Sequence, residues 1–155
     1  MHGSHSVARI RIWDLPTRVF HALLVMAVIG LVITGEVGGD AMRVHFWLGY
    51  AVLTLVFFRV GWGFFGGHWS RFINFVPTPA KLGAYLKAFR ADQAPRSIGH
   101  NPLGALSVLG MLSILLLQVF SGFMSDDEIA ASGPWTSLVN NQWVEWATAY
   151  HRSEE

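Results

Sequence analysis

The sequence predicts an all-α integral membrane protein, a helical bundle with three clear transmembrane helices and the start of a fourth. Three observations carry this. Charged residues make up 14% of the 155 positions while 52% are hydrophobic, and the mean hydropathy is +0.40; soluble domains carry about 25% charge. The apolar residues gather in three runs of about 20, each enough to cross a hydrocarbon core about 30 Å thick. The charges sit almost wholly between those runs, so the net charge of +1 says little. On this reading residues 1–155 form a single domain.

Met1 to Arg11 is a polar tail, basic at its end through Arg9 and Arg11, and its His2 and His5 are read as tail residues without a site. Trp13 belongs at headgroup depth, Asp14 caps the first helix and Pro16 lies in its first turn. That helix spans about 16–35 and the Glu36–Asp40 stretch turns the chain. A second helix covers about 42–65 and breaks at Gly66-Gly67. The connection that follows holds Arg71, Lys81, Lys87, Arg90 and Arg96 against one acid, Asp92, and its 79–90 stretch is an amphipathic surface helix. Asn101-Pro102 opens the third helix, about 102–124, which Asp126-Asp127-Glu128 stops. After the Gly133-Pro134 turn, an incomplete fourth helix starts near Trp143, too polar and too short to span.

Because basic residues favour the cytoplasmic side, the amino terminus and the 68–99 connection are placed in the cytoplasm. The turn after helix one and the segment after Ser125 then lie on the far side, which is the periplasm if the membrane is a bacterial inner membrane. No cleavable leader is evident, and the first helix is expected to remain as a signal-anchor.

The absence of cysteine excludes disulfides, iron–sulfur clusters and thiolate ligands. Redox chemistry would need a cofactor held by histidine or methionine. His21 near the start of helix one and His45 at the start of helix two lie at opposite ends of antiparallel helices, roughly 20 Å apart in depth. They cannot share a metal. His151 lies at the level of His45, and His100 at the level of His21.

On helix two, His45, Gly49, Val52, Val56, Arg59 and Gly63 share one face. Gly104, Ser107, Met111, Gln118 and Gly122 form a similar stripe on helix three. Glycines alone are explained by close helix packing; beside histidines, they suit the approach of a flat macrocycle. A haem-lined bundle accounts for both. Arg18 and Arg59 either snorkel to the headgroups or pair with haem propionates near the cytoplasmic surface.

Three motifs extend this reading: Trp13-Asp-Leu-Pro-Thr-Arg-Val-Phe-His21, Arg43-Val-His45-Phe-Trp-Leu-Gly-Tyr50 and Gly99-His-Asn-Pro-Leu-Gly104. Together they resemble bacterial cytochrome b561, a family that includes the b-type cytochrome subunits of nickel–iron hydrogenases, over Trp13 to Met124. The resemblance implies a four-helix up-and-down bundle with two b haems, each held by two histidines from helices one, two and four. His21 and His45 match the first two ligands. His151 stands where the first ligand of helix four belongs and would pair with His45. The second ligand of helix four has no counterpart, since the chain ends four residues after His151. His21 is then left without a family partner and one haem is securely ligated; His100 could be recruited to His21, but the Asn-Pro after it favours a helix start or a propionate contact.

The implied function is transmembrane electron transfer through b-type haem, as a component of a respiratory chain rather than a stand-alone enzyme. The implied partners are membrane lipid, quinone, and a periplasmic or membrane-bound redox protein such as a cytochrome c or hydrogenase, with a homodimer as a further association. Nucleic acid is not expected. The alternative is a haem-free membrane anchor or assembly subunit of a redox complex. A proton-coupled transporter fits less well, because membrane-embedded acids are absent.

Overall fold

A computed structural model describes residues 13–93, 95, 99–126 and 132–153. The tail with His2, His5, Arg9 and Arg11, together with Arg96, Asp127 and Glu128, lies outside the described residues.

Helix α1 runs Leu15–Val37, one residue earlier and two later than the hydropathy pattern suggests. The start is set by Asp14, whose carboxylate accepts from the Thr17 N–H at 2.9 Å, with Pro16 behind it supplying no donor. At the other end Gly38 and Gly39 take φ values of 62° and 51°, a left-handed pair that side chains disfavour. This reverses the chain within one 3₁₀ turn, Gly39–Ala41, before α2 at Met42–Phe65. Two short helices follow, α3 at Phe72–Phe75 and α4 at Pro79–Arg90. Helix α5 covers Pro102–Met124, capped by Asn101, which accepts from the Gly104 N–H at 2.7 Å. Helix α6 occupies Asn141–Ser153 and starts before Trp143 because the Asn140 side chain accepts from the Trp143 N–H. Among the described residues three helices, α1, α2 with its preceding turn, and α5, are long and apolar enough to cross a membrane. They contain no strand, only an isolated bridge between Asp126 and Ser132. The chain is thus a multi-pass helical membrane protein.

The helices pack in the order α1, α2, α5, α6, each antiparallel to the last. Phe20, Leu24 and Ala27 of α1 meet Val52 and Val56 of α2 and Leu112, Val119 and Phe123 of α5. In lipid, such contacts act through close packing rather than through apolar burial from water. At Gly30 an added Cβ would come within 2.7 Å of Leu48, so the absence of a side chain there lets α1 and α2 approach. Helix α6 is fastened to the carboxy-terminal end of α5. Gly133 and Trp135 donate backbone bonds to Ser125 and Phe123, and the Asp126 N–H donates to Thr148 Oγ1 at 3.0 Å. Trp135 also stacks on Phe120.

The small-residue stripe of α5 divides in two. Gln118 and Gly122 face the interior, whereas Ser107 and Met111 are exposed, which corrects the expectation that the whole stripe faces one site. The cause is the placement of α6. Its described residues lie along the carboxy-terminal half of α5 and reach back only to the level of Gln118.

At the opposite end of the bundle, Asp14 ties three segments together. Its Oδ2 accepts from Trp62 Nε1 on α2 and from Ser70 Oγ, each at 3.0 Å. Thr17 Oγ1 lies 3.0 Å from Ser70 Oγ and donates to it, since the Ser70 hydroxyl proton is committed to Asp14. Burial works to raise the Asp14 pKa, but the hydrogen bonds from Thr17, Trp62 and Ser70 outweigh it and hold the carboxyl below its ordinary value. A depressed carboxylate contributes stability above its unfolded pKa that is lost as pH falls through the folded value. Asp14→Ala is therefore expected to cost about 1–2 kcal/mol at neutral pH, through the lost cap and the stranded donors. In thermal unfolding of the detergent-solubilised protein, the difference from the parent should persist at about pH 5 and shrink at about pH 3.

Candidate cofactor site

The interior face of α2 buries Val52, Val56, Arg59 and Gly63. Toward the amino-terminal end of α2 this face opens into a cavity of about 390 Å³ lined by α1, α2, α5 and α6. His45 and His151 both line it, as do Gly49, Gln118 and Gly122. The two imidazole centroids are 6.0 Å apart and the ring planes cross at 88°. Two imidazole nitrogens about 2 Å from one metal ion put their ring centroids about 6 Å apart, so the spacing would allow both rings to hold one iron.

Each ring is held by a backbone carbonyl. His45 Nδ1 lies 3.0 Å from Leu31 O on α1, with Thr34 Oγ1 at 3.3 Å. His151 Nδ1 lies 3.0 Å from Gln118 O on α5, with Ser121 Oγ at 3.4 Å. A carbonyl can only accept, so Nδ1 carries the proton in both rings and the basic lone pair sits on Nε2. This is the arrangement found behind metal-ligating histidines, where the second nitrogen is fixed by a carbonyl. Gln118 holds the last turn of α6 as well, its Nε2 donating to His151 O at 3.0 Å.

Two features test whether a flat macrocycle suits the cavity. A Cβ added to Gly49 would meet no atom within 4 Å, so the glycine leaves open space beside His45. A Cβ added to Gly122 would stand 2.8 Å from His151 Cε1, so that glycine gives the ring its place. Gln118 Oε1 is buried without a hydrogen-bond partner on the same wall. Two imidazoles whose centroids stand 6.0 Å apart in a mostly apolar slot are a donor pair that would suit haem iron.

The inner histidine is placed differently. His21 Nδ1 lies 2.8 Å from Thr17 O, which gives the same tautomer, but the residue is exposed and its ring packs edge-on against Trp13 and Phe20. His100 contacts Trp13 at 5.0 Å and stacks on Phe75 at 4.9 Å. Both His21 and His100 thus pack against Trp13, and His21 lies near enough for its charge to act on His100. Burial first, and then the charges of Arg59 and His21, push the His100 pKa down, which favours its neutral form.

Of the two arginines, Arg18 is exposed. Arg59 does not snorkel. It is 4% exposed, donates to Ser70 O at 3.3 Å, and lies over the rings of Phe72 and Phe75. The sequence reading missed the Asp14–Ser70–Arg59 connection and the carbonyl anchors of the two outer histidines. A capping Asp and a fold-back rich in Phe hint at the first; backbone carbonyls leave no sequence signature.

The prokaryotic cytochrome b561 profile matches residues 12–153 of the chain. The chain belongs to this family. Membership in a b-type cytochrome family implies haem b as the prosthetic group. Similar curated proteins include the probable Ni/Fe-hydrogenase 1 B-type cytochrome subunit of Escherichia coli (strain K12), 25% identical over an alignment covering 77% of this chain and 61% of that protein. The probable Ni/Fe-hydrogenase B-type cytochrome subunit of Rhizobium leguminosarum bv. viciae is 25% identical, covering 86% of this chain and 67% of the relative. That of Azotobacter vinelandii is 27% identical, covering 64% and 51%. The cytochrome b561-like chain therefore spans roughly half to two thirds of the relatives' length. No solved structure gives a significant match.

Proposed function

We propose that this chain carries electrons through the membrane by way of haem b held between His45 and His151. The observation that carries the reading is the pair of facing imidazoles, each with Nδ1 fixed on a carbonyl. When bound, the haem supplies a one-electron couple, and two axial imidazoles favour electron transfer over oxygen binding. The protein's own part is to orient the rings through Leu31 and Gln118, to surround the site with apolar side chains, and to keep water out.

At the inner end, His21 is the candidate ligand of a second haem, with Arg18, Arg59 and His100 as the polar residues near it. Quinone at the bilayer edge and a redox protein on the outer face, such as a hydrogenase, are the proposed partners. The names of the hydrogenase cytochrome subunits support the latter. The basic residues Arg71, Lys81, Lys87 and Arg90 support a cytoplasmic placement for the connection between α2 and α5, and for the amino terminus. That orientation suits a bacterial inner membrane.

A quantitative haem assay with carbon monoxide tests this reading. The 155-residue chain is expected to hold one tightly bound haem that resists carbon monoxide. Any second haem, ligated by His21 alone, should bind carbon monoxide, because a five-coordinate iron leaves a position open. A chain that takes up no haem would favour the haem-free anchor. Two resistant haems would mean that His21 has a second imidazole.

A further inference from the structure

Haem b carries two carboxylates, and an ionised carboxylate in an apolar slot is strongly unfavourable unless a cation or several donors meet it. The residues assigned above to the outer site include no such cation. Arg59 is committed to Ser70 O and the Phe72 and Phe75 rings at the inner end, and Arg18 is in the first two turns of α1. Among the described residues lining the cavity, one carries a permanent positive charge, Arg152.

Its position is specific. Arg152 follows His151 and so lies about 100° around α6, which lets both side chains reach the same cavity. Helical side chains lean toward the amino terminus of their helix, so Arg152 points back toward the outer surface, over Thr148 and Glu145. There it lines a second recess of about 520 Å³ with Asp126, Thr148 and Glu145. Asp126, Thr148 and Arg152 belong to both spaces, so they form the partition between the apolar slot and the polar recess.

We propose that Arg152 is the carboxylate anchor of the outer haem, binding a propionate where the slot passes into this recess. The guanidinium offers a planar fork of donors matched to a carboxylate. With Asp126 and Glu145 the recess is acidic apart from Arg152, so a carboxylate is favoured only directly against the guanidinium, which restricts the orientation. The simpler role for such a residue is to extend toward the headgroups or to balance those two acids. The proposal rests on the His45–His151 site and names what holds the other end of the macrocycle.

Optical titration of the detergent-solubilised full chain with haem b and with its dimethyl ester separates these roles. The parent is expected to bind haem b about tenfold more tightly than the ester, the worth of a charge-assisted contact. Arg152→Gln should abolish the preference, and Arg152→Lys should keep part of it. Apoprotein melting of both variants should match that of the parent. An undiminished preference in Arg152→Gln would overturn the assignment and leave Arg152 a partner of Asp126 or Glu145. If Arg152→Gln fails to fold, Arg152→Lys decides: a preference equal to the parent's or none at all, rather than an intermediate one, counts against the propionate contact. A His45→Ala arm isolates the underlying reading. If haem b binds the parent and His45→Ala equally, the bis-histidine site itself falls, and Arg152's role with it.

Discussion

His45→Gly is expected to abolish tight haem binding at the outer site, with affinity falling by more than about 100-fold. Residues that merely orient a metal ligand account for about 10- to 100-fold in affinity, and loss of the ligand itself exceeds that. No second histidine is at hand on α2, where the face next to the cavity continues with Phe46, Gly49 and Val52. Met42 lies one turn earlier and also lines the cavity. Its capture of the iron would be recognised by a shifted potential, because a thioether raises it. His21→Gly should leave the outer haem in place, because Leu31, the α1 anchor of His45, is ten residues or about 15 Å along the helix from His21. The contrast between the two variants, read as haem per chain, distinguishes a site at the outer end from nonspecific uptake by an apolar bundle.

Gly49→Phe should move haem binding and stability in opposite directions. A glycine inside a helix costs about 0.5–1 kcal/mol relative to alanine, and the space beside Gly49 is open for at least 4 Å around an added Cβ. A larger side chain can therefore be accommodated, and the haem-free protein should melt at an equal or higher temperature. The same side chain would occupy the slot between α1, α2 and α5, so haem uptake should be lost. If Gly49→Phe retained haem, the cofactor would have to lie elsewhere. Were the apoprotein to unfold, the space beside Gly49 would be smaller than the structure gives it.

Much of the fold follows from features that act locally. Apolar run length sets α1, α2 and α5, and Asp14 and Asn101 fix two starts through a side-chain bond to the third residue on. The level of His45 with His151 follows from counting residues along antiparallel helices, and the structure places the two rings 6.0 Å apart. What was not legible depends on tertiary placement. Arg59 looked able to reach the headgroups, because nothing in α2 announces that residues 70–75 fold back over it. Ser107 and Met111 obey the same helical period as Gln118 and Gly122, yet face outward, because periodicity fixes a face but not how far a neighbour extends along it. The carbonyl anchors on Leu31 and Gln118 belong to every peptide unit, so only the packed structure reveals which ones are used.

The central claim is that the iron of haem b is held between His45 and His151, and chemical rescue tests it most directly. His45→Gly and His151→Gly each leave a gap the size of the missing ring. Oxidised spectra of both variants, reconstituted at saturating haem, should show five-coordinate high-spin iron, and added imidazole should return each to the six-coordinate low-spin spectrum of the parent. Low-spin spectra in both variants without imidazole, at unchanged haem content, would contradict the account.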